Sequence, residues 1–98
     1  MSYVIIWTYD VMPGEDAAFR SAYGPEGDWA ALFSRASGFL SVELLFDGAR
    51  YATIDRWESQ TAFEAFQREH GAAYAALDAK LAHLTRVQER VGAFARVT

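Results

Sequence analysis

Two histidines, His70 and His83, are the side chains of this 98-residue sequence that titrate near neutrality without help. His70 follows Ala62-Phe63-Glu64-Ala65-Phe66-Gln67-Arg68-Glu69 and is the best single candidate for a general base. The competing reading is a surface histidine held in its protonated form by a helix C-terminus. His83 sits in an Ala-rich stretch and reads as a solvated or rim residue. Five charges, Glu43, Asp55, Arg56, Glu89 and Arg90, fall in stretches with strand character, where charge is costly unless paired. Ion pairs at a sheet–sheet contact account for them better than an acid–base site does. Ser41 and Asp55 have no histidine that sequence places at triad geometry, so no nucleophile is assigned. Trp7, Tyr9, Trp29, Phe63, Phe66 and Tyr74 are candidates to line an aromatic binding pocket, although each also suits an ordinary core.

Composition removes several classes of function. The net charge is −4 and no run of Lys or Arg forms a basic face, which excludes a nucleic-acid binder that neutralises phosphates. The chain has no cysteine and two histidines, so neither thiolate chemistry nor a structural metal site is expected. Gly24-Pro25-Glu26-Gly27 follows a helix rather than a strand, and its Glu would repel phosphate. No apolar run approaches the roughly 20 residues of a membrane span. The opening Met-Ser-Tyr-Val-Ile-Ile-Trp lacks the basic start and small-residue site of a signal peptide, so a cytoplasmic protein with no membrane association is expected.

Hydrophobic patterning supplies the elements that must position these side chains. Residues 3–11 are β-branched and aromatic almost throughout and read as a strand. Pro13-Gly14 suits the centre of a type II turn, and Glu15 and Asp16 favour the helix start that follows. Phe19 and Tyr23 share one face of that helix. Gly24–Gly27 interrupts it, and Asp28 is the expected N-cap of a second piece carrying Trp29, Leu32 and Phe33. Residues 39–46 and 50–57 form a hairpin around Asp47-Gly48-Ala49. A loop of those three residues would put Leu40, Val42, Leu44 and Ile54 on a dry face, with Ser41, Glu43, Thr53 and Asp55 on a mixed one. Ser59 caps a helix that runs to His70 and ends at a left-handed Gly71; residues 72–85 form another with Tyr74, Leu77, Leu81 and Leu84 at helical spacing. Residues 87–96 are the last strand, with Gly92 a candidate bulge.

The order is that of the split βαβ arrangement: one α+β domain over 1–98, ferredoxin-like βαββαβ, with a four-stranded antiparallel sheet. Helices cover one face of such a sheet. Strand one nevertheless has no polar side, since Tyr3, Ile5, Trp7 and Tyr9 alternate with Val4, Ile6, Thr8 and Asp10. Fifteen aromatic rings (three Trp, five Tyr, seven Phe) exceed what so short a chain hides alone. A second copy of the sheet is the simplest cover, so a homodimer is expected.

With these elements in place, the chain resembles the antibiotic biosynthesis monooxygenase family of dimeric α+β barrels over nearly its whole length. The resemblance rests on Val11-Met12-Pro13-Gly14, on Gly38-Phe39, and above all on Tyr51-Ala52-Thr53-Ile54-Asp55-Arg56-Trp57-Glu58-Ser59 with Ala62-Phe63-Glu64-Ala65-Phe66. It implies a small-molecule enzyme that oxygenates an aromatic or quinol-type substrate without metal, flavin or other cofactor, or a non-catalytic binding or stress-associated protein on the same fold. The haem-degrading branch carries Asn, Trp and His where this chain has Trp7, Phe66 and Ala76, and so is disfavoured.

Overall fold

The computed structural model describes residues 2–98. The β-branched and aromatic segments form strands where expected: β1 (Tyr3–Val11), β2 (Phe39–Phe46), β3 (Tyr51–Trp57) and β4 (Thr85–Ala95). All pair antiparallel, in the order β2-β3-β1-β4. Helices α1 (Asp16–Tyr23), α2 (Asp28–Phe33) and α3 (Gln60–Leu81) connect them, and a single 3-10 turn at Ala82–Leu84 leads into β4. This is the ferredoxin-like α+β topology, with the first helix broken in two.

One face of the sheet carries the core. Tyr3, Ile5, Trp7 and Tyr9 of β1 stand opposite Trp57, Asp55, Thr53 and Tyr51 of β3, so alternation gives these residues a common face. The helices bring Phe19, Tyr23, Trp29, Leu32, Phe33 and Phe66 against it. Phe19 stacks on Tyr23 at 4.2 Å, as the one-turn spacing predicts. Helix α1 is tied down by Tyr51, whose hydroxyl accepts from Arg20 Nε at 2.7 Å and donates to Asp16 at 2.8 Å.

The hairpin differs from expectation in a way that matters for the site. Phe46 pairs with Tyr51, Leu44 with Thr53 and Val42 with Asp55, so residues 47–50 form the loop. Asp47 Oδ1 accepts from the backbone N–H groups of Ala49 and Arg50, at 2.8 and 2.6 Å, and Gly48 takes φ +97°. A side chain that caps its own turn and a left-handed glycine stabilise this longer loop. Because side chains alternate with period two, one residue of slippage exchanges faces. Thr53 and Asp55 therefore lie beneath the helices, while Ile54 joins Ser41 and Glu43 on the other side. Leu40 is skipped by a register shift between Phe39 and Ser41 and is exposed. The expected division into a dry and a mixed face is corrected accordingly.

Three smaller corrections concern the helices. Gly27, not Asp28, is the N-cap of α2. Gly71 does not take a positive φ. Instead α3 runs on through a kink at His70 (φ −122°, ψ 18°), because Tyr74, Leu77 and Leu81 continue the buried stripe. Other expectations hold: Ser59 caps α3 by accepting from Ala62 N at 3.0 Å, Glu15 N–H closes the Pro13-Gly14 turn on the Met12 carbonyl, and a bulge lies beside Gly92 in β4.

Gly38 is required by close approach. A Cβ there would lie 2.4 Å from the Ala62 Cβ, where the start of β2 meets α3. Gly38→Ala is expected to lower stability by about 1–3 kcal/mol through overpacking, read as a shift in denaturant midpoint; an unchanged midpoint would mean that α3 moves away freely.

No helix among the described residues covers the opposite face of the sheet. It presents Val4, Ile6 and Ile54, and the exposed Leu45, Val87 and Phe94. It also carries an ion pair: Arg56 reaches Glu43 at 2.8 Å. Both side chains are nearly half exposed, so the pair contributes little on its own. No helix among the described residues is long and apolar enough to cross a membrane.

Candidate active site

The corrected register places a carboxyl group among aromatic rings. Asp55 sits on β3 between Ile5 of β1 and Val42 of β2, one pair from Trp57 and one from Thr53. Its side chain makes no hydrogen bond or ion pair with any described residue, and no donor is arranged to stabilise its charge. Burial, acting alone, pushes its pKa up to about 7. Beside it, the Tyr9 hydroxyl and Thr53 Oγ1 share a hydrogen bond of 2.9 Å. Burial raises the Tyr9 pKa strongly, the Thr53 bond partly opposes this, and the Asp55 charge adds to it.

Two adjoining cavities meet at this carboxyl. The inner recess, of about 30 Å³, lies under α2 and α3 and is lined by Tyr9, Tyr23, Trp29, Val42, Thr53, Asp78 and Gln88. The outer cleft, of about 260 Å³, is lined by Ile5, Phe63, Gln67 and Arg90. Trp7, Phe33, Asp55 and Tyr74 line both. The recess holds one water-sized group and no ring, whereas a cavity on the order of 150 Å³ suffices for benzene. By volume the cleft could admit a ring and the recess could not, and Asp55 lines both.

The aromatic residues singled out from sequence divide clearly. Trp7, Tyr9, Trp29 and Tyr74 line the recess, and Trp7, Phe63 and Tyr74 line the cleft. Phe66 lines neither; it is buried against Phe33 and Trp57, with ring centroids at 5.3 and 5.1 Å. His70 also lines neither cavity. It lies at the kink of α3 and stacks on Phe66 at 5.4 Å. Trp57, fully buried, is a packing anchor.

From sequence Asp55 was weighed for an acid–base site but read as one half of an ion pair, and Tyr23, Phe33, Thr53 and Asp78 were not singled out; all five line the recess. One signal was present: Tyr51-x-Thr53-x-Asp55-x-Trp57 alternates with Ala52, Ile54 and Arg56, so Asp55 shares the side of the two large aromatics. A lone carboxylate on an aromatic face marks a perturbed group.

Comparison with known proteins agrees with this fold. The chain superimposes on SnoaB, a cofactor-independent oxygenase from Streptomyces nogalater, with a TM-score of 0.76 and 26% identity, covering 99% of this chain and 95% of that one. A monooxygenase from Streptomyces coelicolor, solved in complex with nanaomycin D, shares the fold with a TM-score of 0.76 at 19% identity, covering 99% and 88% of the two chains. No curated protein matches significantly. The family model for antibiotic biosynthesis monooxygenases matches residues 2–90, the span that contains every aromatic residue lining the two cavities, and the chain belongs to that family.

Proposed function

We propose that this protein is a cofactor-independent monooxygenase that binds a hydroxylated aromatic or quinol-type ring in the outer cleft and uses Asp55 to take its proton. The observation that carries this reading is the unpaired, partly buried Asp55 carboxyl lining an aromatic-walled cleft. Asp55 takes the role that the sequence offered to His70, because His70 lines neither cavity. Removing a proton from an activated ring CH₂ leaves an electron-rich anion that reduces dioxygen. One oxygen atom becomes a ring carbonyl, and the other leaves as water with the two hydrogens lost from that carbon. The substrate supplies the electrons, so the protein must bind, desolvate and deprotonate. The likeness to SnoaB supports this reaction class.

The test is oxygen uptake with a panel of polycyclic phenols and quinols that carry or tautomerise to such a ring CH₂, followed by mass analysis for the gain of one oxygen atom with the loss of two hydrogens. Uptake tied to product formation supports the reading. Tight binding without oxygen consumption across the panel would favour a non-catalytic binding protein instead.

The uncovered sheet face supports a homodimer in which two sheets pack through Leu45, Ile54, Val87 and Phe94. Light scattering at micromolar concentration is expected to give twice the 10.9 kDa chain mass, and Phe94→Glu is expected to give monomers. A monomeric wild type would overturn this.

A further inference from the structure

The inner recess is too small for a ring, yet it suits a water. Its volume of about 30 Å³ exceeds the roughly 10–15 Å³ that one water needs. A water held there also needs about two to four polar partners. Thr53, Asp55, Tyr74 and Asp78 line the recess and supply them. Asp78 stands one turn beyond Tyr74 on α3, so the two share a face of the helix. Burial raises the Tyr74 pKa, and the charges of Asp78 and Asp55 add to the rise. Its hydroxyl therefore stays protonated and lies close to both carboxylates. The recess thus joins an unpaired carboxyl at the cleft to Asp78, which is exposed on the helix surface.

We infer that the recess is a proton port, in which one water passes protons between Asp55 and solvent at Asp78 while a ring occupies the cleft. The port gives the protein a second activity that needs no oxygen, the exchange of an activated ring hydrogen with solvent. The inference rests on the reading of Asp55 as the base. It adds a route that oxygenation does not require, since there both hydrogens leave with the second oxygen as water. In the exchange, Asp55 takes the proton of a ring C–H, and the electron pair stays on the ring as an enolate-type anion. Asp55 passes that proton to the recess water, which gives one of its own to the Asp78 carboxylate. Asp78 trades it with bulk solvent. The same steps in reverse return a solvent proton to the ring carbon, and nothing is oxidised or reduced. A ring seated against Trp7 and Phe63 would cover the cleft side of Asp55. The recess side still leads to Asp78 and Gln88, both of them exposed. Asp78 does not touch the ring; it is a positioning residue that acts through the water.

The test uses 1,3-dihydroxynaphthalene, a bicyclic phenol that tautomerises to a ring CH₂, in oxygen-free D₂O. Loss of its C2 proton signal is followed by NMR with and without the protein, and oxygen uptake with the same compound is measured in air. Wild type is expected to speed the exchange at least about tenfold over the spontaneous rate, within the range that a positioned base provides. Asp55→Asn is expected to return it to the spontaneous rate. Asp78→Asn, a change at an exposed side chain, is expected to lower kcat for exchange by about tenfold with KM unchanged. Asp78→Glu is expected to restore most of that loss, which a merely structural role would not predict. Oxygen uptake by the wild type without anaerobic exchange would overturn the port and leave the oxygenase reading standing. Exchange without oxygen uptake would support the port and count against the oxygenase. Neither activity would sink both. Exchange that survives Asp55→Asn, or that is undiminished in Asp78→Asn, would also overturn the route.

Discussion

Asp55→Asn is expected to lower kcat/KM by about 10²–10⁴ while making the protein more stable above pH 7. The two effects have one cause. Burial holds the Asp55 carboxyl up to about pKa 7, without an ion pair or hydrogen bond to compensate its charge. Below about pH 4 the group is neutral in both folded and unfolded chains, and wild type and variant should be equally stable. As pH rises from about 4 to about 7, the unfolded chain gives up this proton before the folded one does, and wild-type stability declines. Above that window the penalty is constant. Asn, similar in shape and never charged, escapes it, and the expected gain is about 2–4 kcal/mol at pH 8. Denaturant titrations at pH 4 and pH 8 check the sign: the midpoint difference should be near zero at the lower pH and favour the variant at the higher. The activity should show the mirror image. Turnover by wild type should climb with pH to a plateau above about 7, because a base acts only when deprotonated, and the variant's residual rate should lack that limb. A fully active variant would remove Asp55 from the mechanism.

Trp57→Ala is expected to cost about 3–5 kcal/mol, a large part of the 5–15 kcal/mol that holds a small domain together. Trp57 is fully buried and packs edge-on against Phe33, Phe39 and Phe63, with centroids between 5.4 and 5.6 Å. It also meets Phe66 at 5.1 Å. It thus joins β3, α2 and α3 at one point. Phe33 lines both cavities, so the void left by the indole would loosen the site as well as the core. Trp57→Phe should cost much less, and its unpartnered indole N–H would no longer be buried. Thermal and denaturant unfolding of the two variants separate lost volume from lost chemistry. A loss below about 1 kcal/mol for the alanine variant would contradict the packing role.

Much of this architecture is local and therefore legible in the chain. The bounds of β1 and β2, the Ser59 cap, the Pro13-Gly14 turn and the break at Gly24–Gly27 follow from β-branching, capping chemistry and glycine and proline placement, all of which act over a few residues. Of the aromatics singled out from sequence, Trp7, Tyr9, Trp29, Phe63 and Tyr74 line the two cavities, and Phe66 lines neither. The kink at His70 was misread as an end because glycine after a histidine is a good helix stop; only the continued burial of Tyr74, Leu77 and Leu81 carries α3 onward.

The hairpin register required the folded structure, and the site turns on it. Sequence established the strands, the fold class and the family. Register is a contest between a turn's own hydrogen bonds and the burial of two strands, and a difference of one residue reverses every side chain. The capping carboxylate of Asp47 and the left-handed Gly48 decided for the longer loop. Tertiary packing thereby placed Asp55 under the helices, unpaired, at the junction of a ring-sized cleft and a water-sized recess. A charge that sequence assigned to a paired surface instead lies partly buried with its pKa raised, because burial acts on where a side chain points, and alternation alone does not say which way that is.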